Sequence, residues 1–214
     1  GDVTPRVMFH ALGTDLSADT QLFGDGYELH HIPVSRLSDD GRWLLVHMTD
    51  GSSGPTEIHL KDLTTEAPFT AIIQDGVTES WAEFAGDALV ITTNLNAPHK
   101  RVMTADPANP AVDQWHEIIP ERDDVVIQEA RALGGRLAVS YLQDVQPRMA
   151  IHELSGAYVR DITFETLGSV GGGAGRWMSD EAFFSFQSYH RPTTVYRYDL
   201  ASGQRTIWAR VEVS

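Results

Sequence analysis

The sequence predicts an all-β fold, a β-propeller with four-stranded antiparallel blades. A turn cluster followed by an apolar strand recurs along the chain, and equivalent apolar residues are spaced almost evenly. These residues are Leu44, Leu89, Leu137 and Phe183, which lie 45, 48 and 46 positions apart. A period of about 45 residues with several strands in each unit is typical of propellers, and four antiparallel strands form one blade.

The first complete unit shows the pattern most clearly. Residues 38–41 (SDDG) combine side chains that hydrogen-bond their own backbone with a glycine that tolerates positive φ, so they predict a turn. The apolar run at residues 43–46 predicts a buried strand, and alternation at residues 57–60 predicts the next strand. Residues 32–37 and 69–74 complete the blade as its first and fourth strands.

Three further units follow in the same order. Their clearest predicted strands are residues 80–84, 88–93 and 115–119, then 136–142 and 158–164, and finally 181–186 and 206–209. Before the first complete unit, residues 6–12 and 19–23 resemble the third and fourth strands of a blade without its first two. We therefore expect one domain, in which residues 1–27 are the outer strands of an incomplete blade and residues 28–214 are four consecutive blades.

Four and a half blades do not fit a closed ring, since closed propellers consist of whole blades, usually about four to eight. One alternative is a five-bladed ring closed by strands from both termini, but no spare C-terminal strand is visible. We expect instead a piece of a larger propeller, whose exposed blade edges favour self-association.

The composition excludes several classes of function. Sixteen basic residues against thirty acidic ones give a net charge of −14, without the clustered Lys and Arg that neutralise nucleic-acid phosphates. No apolar run approaches the ~18 residues of a membrane span, and no signal peptide is recognised at the start. The chain has no cysteine, so disulfides and thiolate metal sites are excluded. A cytoplasmic protein that binds neither nucleic acid nor membranes is expected.

Five segments resemble, in order and spacing, the propeller domain of the prolyl oligopeptidase family of serine peptidases. They are VMFHALGTDLSADTQLF, VSRLSDDGRWLLV, TTNLNAPHKRVMTAD, SYLQDVQPRMAIHELSG and LGSVGGGAGRWMSDEAFFSFQSYHRPTTVYRYDLASG. The last segment is the most specific, because its ordered glycines, paired Phe and P-T-T-V-Y-R-Y-D string fit the family's last blade. The resemblance implies that the chain runs from the middle of the third blade to the end of the seventh.

The resemblance also implies a role. In this family a seven-bladed propeller covers an α/β-hydrolase domain that cleaves short peptides after proline, and the propeller admits only small, unfolded chains. A nucleophile elbow needs G-x-S-x-G at a strand-to-helix turn, and neither GSSG at residues 51–54 nor GSV at residues 168–170 fits. We expect this chain alone to be inactive, with no catalytic residues, no cofactor and no metal. Its expected partners are a hydrolase domain of the same polypeptide and short proline-containing peptides.

Two residues are candidates for facing the substrate. In the family, one wall of the substrate pocket lies ahead of the SDDG turn and in the loop after the following strand, and these positions correspond to Ile32 and Ser52. At these positions the family commonly has Met and Cys, which Ile32 and Ser52 replace. The pocket would therefore stay apolar at Ile32 and become more polar at Ser52. The alternative is that Ile32 belongs to the core and Ser52 to a solvated loop.

Other signals have simpler interpretations. His30 and His31, beside Glu28, could suggest a metal site, but alternation along a strand would point them to opposite faces. GGGAG at residues 171–175 could suggest a phosphate loop, although a turn between blades that needs positive φ is expected. The aromatic residues of the last unit are expected in core and inter-blade packing rather than on a peptide-binding surface; they are Phe183, Phe184, Phe186, Tyr189, Tyr196 and Tyr198.

Two functions from different classes remain open. The chain could be the gating propeller of a prolyl peptidase, or a free-standing binding propeller whose loops recognise a peptide or protein. The first requires further blades upstream and a hydrolase domain downstream.

Overall fold

The computed structural model describes residues 4–163 and 168–211, and it is built from antiparallel β-sheets. A two-stranded sheet comes first, with β1 at Val7–Phe9 and β2 at Thr20–Phe23. Between them lies a short 3₁₀ helix at Leu16–Ala18, where the Asp15 carboxylate accepts a hydrogen bond from the Ser17 backbone N–H at 2.9 Å. Strands were predicted in both places, at residues 6–12 and 19–23.

Within the described residues, four four-stranded sheets follow, each a meander of neighbouring strands. The first contains β3 (His31–Leu37), β4 (Trp43–Asp50), β5 (Thr56–Asp62) and β6 (Thr70–Ile73). The second contains β7 (Ser80–Ala85), β8 (Ala88–Thr93), β9 (Arg101–Ala105) and β10 (His116–Ile119), with a 3₁₀ helix at Val112–Gln114. The third contains β11 (Val126–Leu133), β12 (Arg136–Gln143), β13 (Gln146–Glu153) and β14 (Tyr158–Ile162). The fourth contains β15 (Ser169–Gly175), β16 (Glu181–Ser188), β17 (Arg191–Asp199) and β18 (Arg205–Arg210).

The all-β propeller prediction is confirmed. Strand β8 has the predicted bounds, whereas β4 continues past the predicted Val46 to Asp50. Strand β14 ends at Ile162, and Phe164, the predicted end, lies outside the described residues. Among the described residues, no helix is long and apolar enough to cross a membrane.

The chain divides into two compact units, residues 1–80 and 81–214. In the first unit, the predicted SDDG turn connects β3 to β4. Gly41 has φ of +72°, and the Ser38 hydroxyl donates to the Asp40 carboxylate at 2.5 Å while accepting from the Trp43 backbone N–H at 2.9 Å. Leu45 and Val46 then enter the strand fully buried. Polar turn chemistry followed by burial thus defines where β4 begins.

In the second unit, the core lies between neighbouring sheets. One cluster joins Val90 and Val102 of the second sheet to Ile127, Leu137 and other residues of the third. Another cluster joins the third sheet to the fourth, and its buried members include Ile151, Phe184 and Leu200. Burial of apolar faces between consecutive sheets is the interaction on which stacked blades depend.

The prediction for GGGAG is wrong, because residues 171–175 belong to strand β15 and do not form a turn. Gly171, Gly173 and Gly175 have no positive φ. Their small size is needed for packing: a β-carbon on Gly173 would lie 3.3 Å from Leu133 Cδ1, and one on Gly175 would lie 2.9 Å from the Glu181 carbonyl oxygen. The glycines therefore let β15 approach its neighbours closely.

The aromatic residues of the last sheet follow their prediction in part. Phe184, Phe186, Tyr196 and Tyr198 are buried, and Phe183 is half-buried against the Trp208 ring, with centroids 5.4 Å apart. Tyr189 contradicts the prediction, since it is 98% exposed at the turn between β16 and β17. The alternation that buries a strand's side chains ends where the strand ends.

Candidate functional site

The two predicted substrate-facing residues lie at the same end of the first four-stranded sheet. Ile32 is the second residue of β3 and pairs in register with Thr49 of β4, and Ser52 follows the end of β4 by two residues. Ile32 is 46% exposed and Ser52 is exposed as well. Exposure of Ile32 argues against the core interpretation and leaves an apolar side chain available for contact.

The loop that carries Ser52 is held by backbone hydrogen bonds. Gly51 N donates to the His30 carbonyl at 3.1 Å, and Gly54 N donates to the Asp50 carbonyl at 3.0 Å. Gly51 has φ of +64°, a conformation that favours glycine. The GSSG string is therefore a hairpin loop between β4 and β5, and GSV at residues 168–170 leads into β15. Neither enters a helix, which a nucleophile elbow requires.

An open, polar cleft of about 550 Å³ lies beside this loop. Its carboxylate and imidazole lining residues are Asp25, Glu28, His30, His31, Asp50 and Glu57. Four carboxylates and two imidazoles make the cleft attractive to cationic groups.

A hydrogen-bonded group forms one wall of the cleft. The Tyr27 hydroxyl donates to Glu57 Oε2 at 2.5 Å, and His59 Nε2 lies 3.1 Å from both of these oxygens. Burial raises the pKa of the Tyr27 hydroxyl, and the hydrogen bond to the Glu57 carboxylate raises it further. Tyr27 therefore stays a neutral donor and fixes the carboxylate at this wall.

An aromatic cluster supports that wall from behind. The Phe23 ring lies 4.7 Å from His59, 4.9 Å from Phe69 and 5.6 Å from Tyr27, measured between centroids. Phe23 belongs to the two-stranded sheet, whereas His59 belongs to β5. The residues that precede the first complete blade thus position one side of the cleft.

Sequence reasoning missed this wall. Tyr27 lies outside every predicted strand and is 30 positions from Glu57, so no local pattern connects them. One signal was available, since Glu57 and His59 are two residues apart on a predicted strand and must share a face.

The expectation that His30 and His31 point apart is wrong. Their rings lie 4.2 Å apart between centroids, because His30 is in the turn before β3 and only His31 belongs to the strand. The alternation of side chains applies only within an extended strand. Asp50 is the register partner of His31 and lies beside this turn, with its Oδ1 3.1 Å from His30 Nε2.

A second cleft, of about 840 Å³, lies within the second unit. It includes Trp177, whose Nε1 would lie 2.8 Å from a β-carbon on Gly86. Neither Ile32 nor Ser52 is among the described lining residues of either cleft.

Comparison with known proteins identifies the same architecture. The family model for the prolyl oligopeptidase N-terminal β-propeller domain matches residues 2–211. A prolyl endopeptidase of Elizabethkingia meningoseptica is 28% identical over 210 residues, which are 97% of this chain and 29% of that protein. A prolyl endopeptidase of Elizabethkingia miricola is 26% identical over 209 residues, again 97% of this chain and 29% of the relative. The chain thus spans under a third of the length of these relatives.

Solved structures give the same result. One comes from a structural and mechanistic study of two prolyl endopeptidases and inter-domain dynamics, and it matches with a TM-score of 0.89 at 27% identity. That match covers 97% of this chain and 30% of the other. Prolyl oligopeptidase B of Galerina marginata, in its apo form, matches with a TM-score of 0.82 at 19% identity over 97% of this chain and 30% of its own, which supports the fold alone.

Proposed function

We propose a function from one premise: the chain belongs to the prolyl oligopeptidase N-terminal β-propeller family. The chain is the gating propeller portion of a serine endopeptidase that cleaves short peptides after proline. A single observation carries this proposal, namely the match to prolyl endopeptidases along 97% of the chain in both sequence and structure.

The propeller and the hydrolase domain have different roles in this proposal. Residues 1–27 are the outer strands of an incomplete blade, and residues 28–214 are four consecutive blades of one domain. The Ser, Asp and His of catalysis belong to an α/β-hydrolase domain of the same polypeptide, which acts in the cytoplasm. A propeller over the hydrolase excludes water and folded proteins from the nucleophile.

Ile32 and Ser52 form the part of the substrate wall that this chain contributes. Both are exposed at one end of the first four-stranded sheet, where Ile32 is the second residue of β3 and Ser52 lies two residues after the end of β4. Ile32 offers apolar contact to a proline-containing peptide, and Ser52 offers a hydroxyl. The neighbouring acidic cleft favours peptides that carry a positive charge.

The test is hydrolysis of a fluorogenic Gly-Pro peptide by residues 1–214 and by the full gene product that contains them, with and without a serine-reactive inhibitor. We expect cleavage by the full product only, and its loss with the inhibitor. Absence of cleavage by the full product would contradict the peptidase proposal and favour a binding propeller.

Substitution then tests the wall. In the full product, Ile32→Ala should raise KM for the peptide several-fold with little change in kcat, because it removes a contact that is made equally in the ground state and the transition state. Ile207→Ala is the matched control, since Ile207 is similarly exposed on β18. Equal kinetics for the two variants would remove Ile32 from the substrate wall while leaving the peptidase proposal intact.

A further inference from the structure

His30, His31 and Asp50 form a cluster with the composition of a transition-metal site. One potential ligand atom from each residue lies within 4.8 Å of the other two. Zinc–nitrogen and zinc–oxygen bonds of about 2.0–2.2 Å place two ligands on one ion roughly 3–4 Å apart. Small side-chain rotations close that difference, and the 3.1 Å between His30 Nε2 and Asp50 Oδ1 already has the required size.

The contacts of the two imidazoles differ. His31 Nδ1 lies 3.2 Å from the Glu28 carbonyl oxygen, so Nδ1–H donates there and Nε2 keeps its lone pair. His30 lies between two carboxylates, with Nε2 3.1 Å from Asp50 Oδ1 and Nδ1 3.5 Å from Glu28 Oε2. An ion bound at His30 Nε2 takes the place of a proton there and leaves Nδ1–H directed at Glu28. Metal-binding histidines use this arrangement, in which the second ring nitrogen donates to a carbonyl or carboxylate oxygen.

The backbone that carries the cluster is already fixed. His31 and Asp50 are register partners on β3 and β4. The His31 N–H donates to the Glu28 carbonyl at 3.1 Å, and Gly51 N donates to the His30 carbonyl at 3.1 Å. Binding would therefore order side chains only, which lowers its entropic cost.

The surrounding charge also favours a cation. Asp25, Glu28 and Glu57 line the same cleft, and no lysine or arginine is among its described lining residues. Glu28 is 80% exposed at its side chain and can move towards an ion.

We propose that His30, His31 and Asp50 bind one divalent transition-metal ion, in the first place Zn²⁺. Two imidazoles and one carboxylate suit first-row ions such as zinc and leave coordination positions open to water or a ligand. The ion joins the turn before β3 to the end of β4 and so stabilises the loop at residues 51–54. This site is independent of the proposed peptidase function.

The test is isothermal titration of the 214-residue chain with ZnCl₂, supported by the visible absorption of bound Co²⁺. We expect one equivalent of Zn²⁺ that the double variant His30→Ala/His31→Ala no longer binds. Asp50→Asn, which keeps the shape of the side chain, should weaken binding at least about tenfold, the loss seen even for partners outside the ligand set.

His190→Ala is the matched control, because His190 is exposed at the turn between β16 and β17. It should bind Zn²⁺ like the wild type, and far-ultraviolet circular dichroism should show the same β-sheet signal in all variants. Equal stoichiometry and affinity in the wild type and the His30→Ala/His31→Ala variant would overturn the proposal. Loss of the same equivalent in His190→Ala would overturn it as well.

Discussion

Arg131 Nε lies 3.1 Å from Glu83 Oε1, and this ion pair joins β11 to β7, strands of two neighbouring sheets in the second unit. Glu83 is buried, and its Oε2 also accepts from the Ala132 backbone N–H at 3.2 Å. Removing one member of a buried pair leaves the other charge without compensation. The pair therefore couples adjacent sheets in addition to their apolar core.

Glu83→Ala should lower the free energy of unfolding by about 2–3 kcal/mol, somewhat less than a fully buried pair would lose, because Arg131 is partly exposed. Urea denaturation measures the change. Glu129→Ala removes the other carboxylate bound to Arg131, at 3.1 Å but 40% exposed, and should cost at most about 1 kcal/mol. Equal losses in the two variants would show that burial of Glu83 has no special weight.

Gly173 of β15 should not tolerate a larger side chain. A β-carbon there would lie 3.3 Å from Leu133 Cδ1 and 3.4 Å from Phe184 Cε1, both in the core between the third and fourth sheets. Gly173→Val should destabilise the chain by about 2 kcal/mol, as overpacking commonly does. Ala174→Val, next to it on the exposed face, should be nearly neutral, and equal urea midpoints for both variants would contradict the packing argument.

The Tyr141 hydroxyl makes a partly buried hydrogen bond whose contribution depends on pH. His152 Nδ1 lies 2.9 Å from the Gly156 carbonyl, so Nδ1–H donates there and Nε2 accepts from the Tyr141 hydroxyl at 2.8 Å. Burial raises the pKa of Tyr141 from 10.0 to about 12. The pKa of Tyr141 is higher in the folded state than in the unfolded state. The neutral hydroxyl therefore stabilises the fold fully below pH 10, and this stabilisation is lost as the pH rises towards 12.

Tyr141→Phe should cost about 1 kcal/mol at neutral pH, the usual value of such a hydrogen bond. The difference from the wild type should shrink between pH 10 and 12. Thermal unfolding at a series of pH values measures both effects. Tyr189→Phe, at a 98% exposed position, should match the wild type throughout, and a difference for Tyr141→Phe that does not change with pH would contradict the assignment.

Local chemistry explains which features could be predicted from the sequence. The turn at Ser38–Gly41 and strand β8 depend on nearby residues, so their patterns were sufficient. His30 could not be placed, because its orientation depends on the turn that precedes β3, which begins at His31. Tyr27 and Glu57 are brought together only by tertiary packing, and the packing role of Gly173 depends on Leu133 of another sheet.

Apolar side chains near the two-stranded sheet should drive self-association. Phe9 is 57% exposed, Leu12 96% and Leu16 76%, and all three lie in the short segment that runs from β1 to the first 3₁₀ helix. Burying such exposed apolar side chains against a second copy of the chain is favourable. Sedimentation velocity over a wide range of concentrations should show a dimer or larger species, in equilibrium with monomer.

The variant Phe9→Ser/Leu12→Ser should shift that equilibrium towards monomer. Met178→Ser, which removes an equally exposed apolar side chain between β15 and β16, is the matched control and should associate like the wild type. Loss of association in both variants would indicate nonspecific hydrophobic contact. A single monomeric mass for the wild type at every concentration would contradict self-association.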